Sequence, residues 1–281
     1  MWKNKLIINV GIRPIPVHEQ IDLIARLGFD GFFTPWADGF DVVACRKQAD
    51  ALGLFYQSIH APFKRCADLW TKSEAGDEAE KELMRCVDAC VDAGVDLCVM
   101  HLIIGFDKFY PNEHGKLRFE RIAQYAKEKG VRIALENTEG EGYLASVMET
   151  LYDYENVGFC WDTGHEMCYN RSQDLLDYYG DRLFCTHLND NLGIRSAKGE
   201  ITYHDDLHLL PFDGVADWED IAARLVRHGF NAPLTFEIKW DTRIWGCDEP
   251  YYPYTFEQYM QHAYAAACRF AALVEKKRAK R

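Results

Sequence analysis

The chain has 281 residues, 48% hydrophobic and 27% charged, which supplies a full core and argues against disorder. Its formal net charge of −12 argues against a general nucleic-acid surface, which needs a basic face to displace phosphate counterions; a small anionic ligand stays compatible, because a local metal outweighs the global field. No apolar run approaches the ~18 residues of a membrane span, and MWKNKLIINVGIRP has neither the apolar region nor the cleavage site of a secretory leader, so a cytoplasmic protein is expected.

Short apolar runs alternate with longer helical patterns along the whole chain. The runs are LIINVGI (6–12), GFFTPW (31–36), LFYQSIHAP (54–62), LCVMHLI (97–103), RIALENT (132–138), VGFCWDT (157–163), LFCTHLN (183–189) and LTFEIKW (234–240). Between them, 17–28, 41–53, 77–94, 112–130 and 217–229 carry apolar residues at helical spacing and stop at a glycine. YLASVMETLYD, SQDLLDYYG and FEQYMQHAYAAACRFAALVEKK supply three more helices, and the basic end KKRAKR suits the negative end of a helix dipole. Strands that are apolar nearly throughout suit a parallel sheet covered by helices. Eight strand–helix units in about 280 residues predict one domain, 1–281, folded as a single α/β (β/α)₈ TIM barrel. An open doubly wound sheet is the alternative, but VGIRPIPVHEQ after the first strand is no Gly-rich phosphate loop. The long interruptions, 63–76, 104–112, 190–216 and 241–253, all follow strands, on the face where barrels build their sites. The ten cysteines include no CxxC pair and read as buried free thiols in a reducing compartment.

Apolar strands have no reason of stability to end in ionisable side chains, yet most of these do. The third ends in His60, the fourth in His101, the fifth in Glu136, the sixth in Asp162 with His165, the seventh in His187 with Asn189 and Asp190, and the eighth in Glu237. Each has a structural reading: a hydrogen-bonded histidine, a helix cap at Asp162, a turn at Glu136. Glu237 resists one, because a carboxylate between Phe236 and Ile238 is costly to bury without a partner. Together they converge on one barrel mouth, where carboxylates and imidazoles repel one another or shift in pKa unless a divalent cation joins them. Two Glu, one Asp and one His form a mixed O/N set suited to Mn²⁺, Mg²⁺, Co²⁺ or Zn²⁺.

SIHAPF, LENTEGE, GFCWDTGH, THLNDN, DDLHLLPFDGVADW and TFEIKW, in this order, resemble the xylose isomerase-like TIM-barrel superfamily, the sugar phosphate isomerase/epimerase group. The resemblance covers strands three to eight. It implies one metal, Mn²⁺ foremost, held by Glu136, Asp162, His187 and Glu237. The two glutamates would double as an acid/base pair acting through a metal-stabilised enediolate. His165 would bond a substrate oxygen. Trp36, Phe63, Trp161 and Trp240 would pack on a sugar's apolar face or simply in the core. Segment 190–205 departs from the family pattern; there Arg195, Lys198 and His204 would bind a substrate phosphate or stand as solvated loop charges. A small carbohydrate is the implied partner, and oligomeric state stays open between a monomer and a homo-oligomer. The same metal chemistry suits an inosose-type dehydratase. The superfamily also includes zinc-dependent AP endonucleases, whose three-metal cluster implies further ligands at His60, His101, His165, Asp206 and His208; the acidic composition argues against DNA.

Overall fold

A computed structural model of the protein describes residues 2–106 and 110–280. Eight strands run β1 Leu6–Asn9, β2 Gly31–Pro35, β3 Phe55–His60, β4 Leu97–His101, β5 Arg132–Glu136, β6 Val157–Asp162, β7 Leu183–His187 and β8 Leu234–Phe236. All pair in parallel, in the order β7-β6-β5-β4-β3-β2-β1-β8. The ring closes between β7 and β8 through one bridge, Leu188 to Phe236. There Leu188 N donates to Thr235 O at 2.8 Å, and Thr235 N donates to the Thr186 hydroxyl at 3.2 Å. A side chain thus takes up a buried N–H that the short eighth strand leaves without a ladder partner. The result is the single (β/α)₈ TIM barrel that the alternating pattern predicts.

The expected strands are all present but stop one to four residues early at their C-terminal ends. Val10, Ile12, Leu102, Ile103 and Leu188 lie past or at the last ladder bonds and are still buried. The apolar run therefore continues under the loops after strand pairing has ended.

The helices are α1 Val17–Leu27, α2 Val42–Leu52, α3 Glu74–Asp92, α4 Glu113–Glu128, α5 Glu141–Thr150, α6 Thr163–Cys168, α7 Leu176–Tyr179, α8 Trp218–Arg227 and α9 Phe256–Arg278. Ser73, Asn112, Asp217 and Thr255 cap α3, α4, α8 and α9 with side-chain oxygens, and α3 starts three residues before its expected start because Ser73 supplies that cap. Two features depart from expectation. Helix α6 is additional, and the segment expected as a helix at 172–180 is reduced to the single turn α7. The tail KKRAKR ends the long α9, with Arg281 outside the described residues, as are 107–109 of the loop expected at 104–112.

Within the barrel, Leu97, Val99, Ala134, Cys160 and Cys185 form an apolar plug separate from the outer core. Strand alternation places every second residue inward. One step further along the same faces lie His101, Glu136, Asp162 and His187, each the last residue of its strand. The plug fills the floor, and the polar residues stand on it. All ten cysteines are free, eight of them buried, as the sequence suggests.

Candidate metal and active site

Glu136 is the hub of the mouth. Its side chain has no exposed surface. Its Oε2 faces His60 Nε2 at 3.2 Å and His101 Nε2 at 3.3 Å; its Oε1 faces His187 Nδ1 at 3.2 Å and His165 Nδ1 at 3.3 Å. Glu237 Oε2 lies 3.2 Å from the same His187 nitrogen. On the other side, Asp206 Oδ2 lies 3.3 Å from His165 Nε2 and 3.0 Å from His208 Nε2. Among the described residues five groups of candidate ligand atoms result, each within 4.8 Å, and three of them together hold every expected ligand: Glu136, Asp162, His187 and Glu237; His60, His101 and Glu136; and His165, Asp206 and His208.

The backbone shows why these contacts need a cation. His60 Nδ1 lies 2.8 Å from Ala61 O, His165 Nδ1 2.9 Å from Asn137 O, and His208 Nδ1 3.2 Å from Glu237 O. A carbonyl only accepts, so each Nδ1 carries the hydrogen. Each Nε2 of the neutral ring is then a bare lone pair aimed at a carboxylate oxygen. Either a proton or a metal must lie between them. Separations of 3.0–3.3 Å suit two ligands sharing an ion with bonds of roughly 2.1 Å. Carbonyls that fix the tautomer of an imidazole are the usual supporting shell of a metal site. The donor set fits a divalent metal ion.

Asp162 turns out to be cap and candidate ligand at once. Its Oδ1 accepts from His165 N at 2.6 Å, starting α6, and its Oδ2 accepts from Asn189 Nδ2 at 2.8 Å. Gly164 permits this: a Cβ there would collide with the Asn189 side chain. His208 is held at φ 47°, a region non-glycine residues rarely adopt. Lys239 N donating to His208 O, and the bridge from Leu209 to Asp190, hold it there.

Without an ion, protons do the joining. Burial lifts the Asp162 carboxyl to about 6. Burial disfavours a charged His208, yet Asp206 and Glu237 push it up to about 9. Burial likewise works against His165 and His187, which the facing carboxylates still hold well above the ordinary imidazole range. A raised folded-state pKa contributes stability that is complete below the ordinary value near 6.5 and is lost as pH rises through about 9. Chelator-stripped protein is therefore expected to lose thermal stability from pH 7 to 9.5, and metal-loaded protein to lose much less. Melting curves across that range check this; parallel losses with and without chelator would contradict it.

A cleft of about 440 Å³ lies above the cluster, lined by His60, His101, His165, His208, Glu237 and Phe63, with Tyr169, Glu139 and Lys239 among its walls. The structure thus brings together all nine expected metal-site residues. Of the four aromatic residues expected to pack on a sugar, Phe63 alone lines the cleft, stacking on His101 at 4.7 Å. Trp36 is buried in the core. Trp161 points outward because its neighbour Asp162 points inward: it lies under the Arg224 guanidinium at 4.5 Å and donates to Glu166 at 2.8 Å, beside a separate cleft between α6 and α8. Trp240 packs on Phe256 and donates to Tyr254 O. Arg195 is tied to Asp205 and His204 O, at 2.9 and 2.7 Å, Lys198 is exposed, and His204 packs between Tyr203 and Trp245. None of these three lines the mouth cleft. Asp190 is structural too, accepting four hydrogen bonds from Asn191, Ala216, Phe212 and Trp218.

Sequence reasoning missed Tyr169, Glu139 and Lys239, gave Asn137 only as part of a turn, and named Asn189 only as a polar residue at a strand end. LENTEGE and TFEIKW held a signal for three of them, since Asn137, Glu139 and Lys239 follow candidate ligands within one to three residues.

Residues 21–262 match the family model described as xylose isomerase-like TIM barrel. A Sinorhizobium fredii protein, y4fM, is 30% identical over 201 residues, 67% of this chain; the chain spans 58% of that relative's length. Among solved structures, an L-ribulose 3-epimerase superposes with a TM-score of 0.77 at 15% identity, covering 99% of this chain and 96% of its own. A D-psicose 3-epimerase gives 0.72 at 15%, covering 96% and 99%. The IOLI protein with a bound zinc atom gives 0.71 at 19%, covering 97% and 99%. With the family model spanning strands two to eight and most of the helices around them, the chain belongs to the xylose isomerase-like TIM-barrel family.

Proposed function

We propose that the protein is a divalent-metal-dependent isomerase or epimerase acting on a sugar or sugar phosphate. The observation that carries this reading is the position of Glu237. In the group Glu136, Asp162, His187 and Glu237 it is the member whose side chain reaches the cleft, 21% exposed where Glu136 and His187 are at 0%. The sugar epimerases that share the fold support a carbohydrate ligand. A divalent ion, Mn²⁺ in this reading with Co²⁺, Mg²⁺ or Zn²⁺ as alternatives, would polarise a carbonyl and its neighbouring hydroxyl. Glu237 takes the proton from the carbon beside that carbonyl.

Glu136, expected to be the second acid/base, faces imidazoles with both oxygens and has no surface in the cleft. We assign it to holding the ligands in place. One accessible carboxylate can remove a proton and return it on the same face, which suits isomerisation between neighbouring carbons. Inversion at one carbon needs a second carrier opposite, for which His165 and Glu139 line the cleft.

A second reading rests on the two outer groups, His60–His101–Glu136 and His165–Asp206–His208. They supply ligands for two further ions, as in a three-zinc phosphodiesterase acting on abasic DNA. Metal content per chain, measured with deuterium exchange into ketoses, ketose phosphates and inososes, separates the two. Exchange of a substrate C–H with solvent is expected. Three zinc ions, cleavage of an abasic oligonucleotide and no exchange would overturn the isomerase reading. Water loss from an inosose would redirect it to a dehydratase.

A further inference from the structure

The mouth has a second lobe of about 270 Å³ on the β1–β8 side, sharing His60, Phe63, His208, Glu237 and Lys239 with the main cleft. Arg13 and Lys239 line it. Both are exposed, and no side-chain hydrogen bond or ion pair engages either among the described residues. Asp241 is the one carboxylate besides Glu237 in its lining. On a chain of net charge −12, unpaired cations beside the catalytic carboxylate are out of keeping with the general surface.

The loops that carry these cations are fixed by buried amides. Gln20, 1% exposed, accepts from Gly11 N and Ile12 N at 3.0 and 3.1 Å and donates to Ile12 O and Ile15 O at 2.9 and 2.6 Å. Its whole bonding capacity goes into the β1–α1 loop on which Arg13 sits. Asn9 makes a reciprocal pair with Ile238, donating to its carbonyl and accepting from its N–H, both at 3.0 Å. That pins the backbone between Glu237 and Lys239, and Lys239 N is tied again to His208 O at 3.0 Å. Two braced loops therefore present two free cations to one lobe at a set place relative to Glu237. Preorganisation of this kind lowers the ordering cost of binding.

We propose that this lobe is an anion subsite, in which Arg13 and Lys239 bind the phosphoryl group of a phosphorylated sugar whose carbonyl end lies at Glu237. The proposal rests on the isomerase reading for the sugar, and it moves phosphate recognition from Arg195, in the loop after β7, to the loops after β1 and β8. A charge-assisted contact of each cation with a phosphate is worth roughly 10- to 100-fold in affinity.

The test uses metal-loaded full-length protein and ligands without a carbonyl, so that binding is read apart from turnover. Titration calorimetry compares hexitol 6-phosphate with the plain hexitol, in the unaltered protein and in Arg13→Gln and Lys239→Met. Both side chains are exposed, so both variants keep the fold. The phosphorylated ligand is expected to bind at least about 30-fold more tightly. Each substitution should cut that preference about 10-fold, and Arg13→Gln, which lies outside the main cleft, should leave plain hexitol binding unmoved. Equal affinities in the unaltered protein overturn the proposal. So does a preference that survives both substitutions, which would put the phosphate on the cation cluster instead. Deuterium exchange into ketose phosphates is measured in parallel: a charge preference carried by Arg13 and Lys239 without any exchange upholds the subsite and defeats the enolisation reading.

Discussion

Glu237→Gln is expected to abolish proton exchange between substrate and solvent while leaving the fold intact. The substitution keeps the size of the side chain and an oxygen for His187, whose Nδ1 lies 3.2 Å from the carboxylate. It removes the charge and the basicity. His187 and His208 hold the Glu237 carboxyl at about 2 against the effect of burial, so in the metal-free state it is charged at any working pH. A bound substrate carbonyl would raise the acidity of the neighbouring C–H, and this carboxylate is the basic oxygen of the four-residue group that faces the cleft. Loss of a positioned general base costs about 10²–10⁴-fold. Proton NMR in deuterium oxide, with metal content measured on the same sample, reads the effect. Exchange at the original rate with full metal would remove Glu237 from the chemistry.

Asp162→Asn carries the second large expected effect, on metal rather than on fold. The carboxylate is fully buried, caps α6 through Oδ1 and accepts from Asn189 through Oδ2. An amide oxygen still caps the helix, so the stability cost on that side is within about 1 kcal/mol. The new NH₂ group then meets the Asn189 NH₂. Asn189 relieves this by turning its amide, because its own Oδ1 is buried without a partner. What is lost is one negative charge beside Glu136 and His187. Losing a supporting partner of a ligand typically costs 10–100-fold in affinity, and a ligand itself should cost more than about 100-fold. Equilibrium dialysis followed by metal analysis measures it, and full occupancy at low metal concentration would contradict the ligand role.

The fold was legible because burial and alternation leave marks that survive in one dimension. Each strand was found by its apolar run, and each candidate ligand by being ionisable at the end of one. Period two also decides between the two readings of Trp161, for a sugar face or for the core. If Asp162 faces in, Trp161 must face out, and there it packs under Arg224; the tryptophan's place followed from the aspartate's. Helix α6 went unseen because six residues are too few for a helical period, although Asp162 three residues before His165 was visible as a cap. Arg195 illustrates a different limit. Its loop partners, Asp205 and His204 O, come from a turn whose path no local pattern dictates. Lys239, set one residue past Ile238, was hidden by the same loss of regularity at the end of a short strand.

The seam between β7 and β8 has a consequence for motion. β8 is three residues long, and its link to β7 rests on one bridge and the Thr186 hydroxyl. Two candidate ligands, His187 and Glu237, stand on opposite sides of that seam and meet at 3.2 Å. An ion held between them fastens the ring where its backbone fastening is thinnest. Without it, only a proton on His187, shared with Glu136 and Glu237, joins the two sides of that joint. The barrel's easiest local opening is expected there, so a bound ion would act as a clasp on the fold and tie metal occupancy to breathing of the ring.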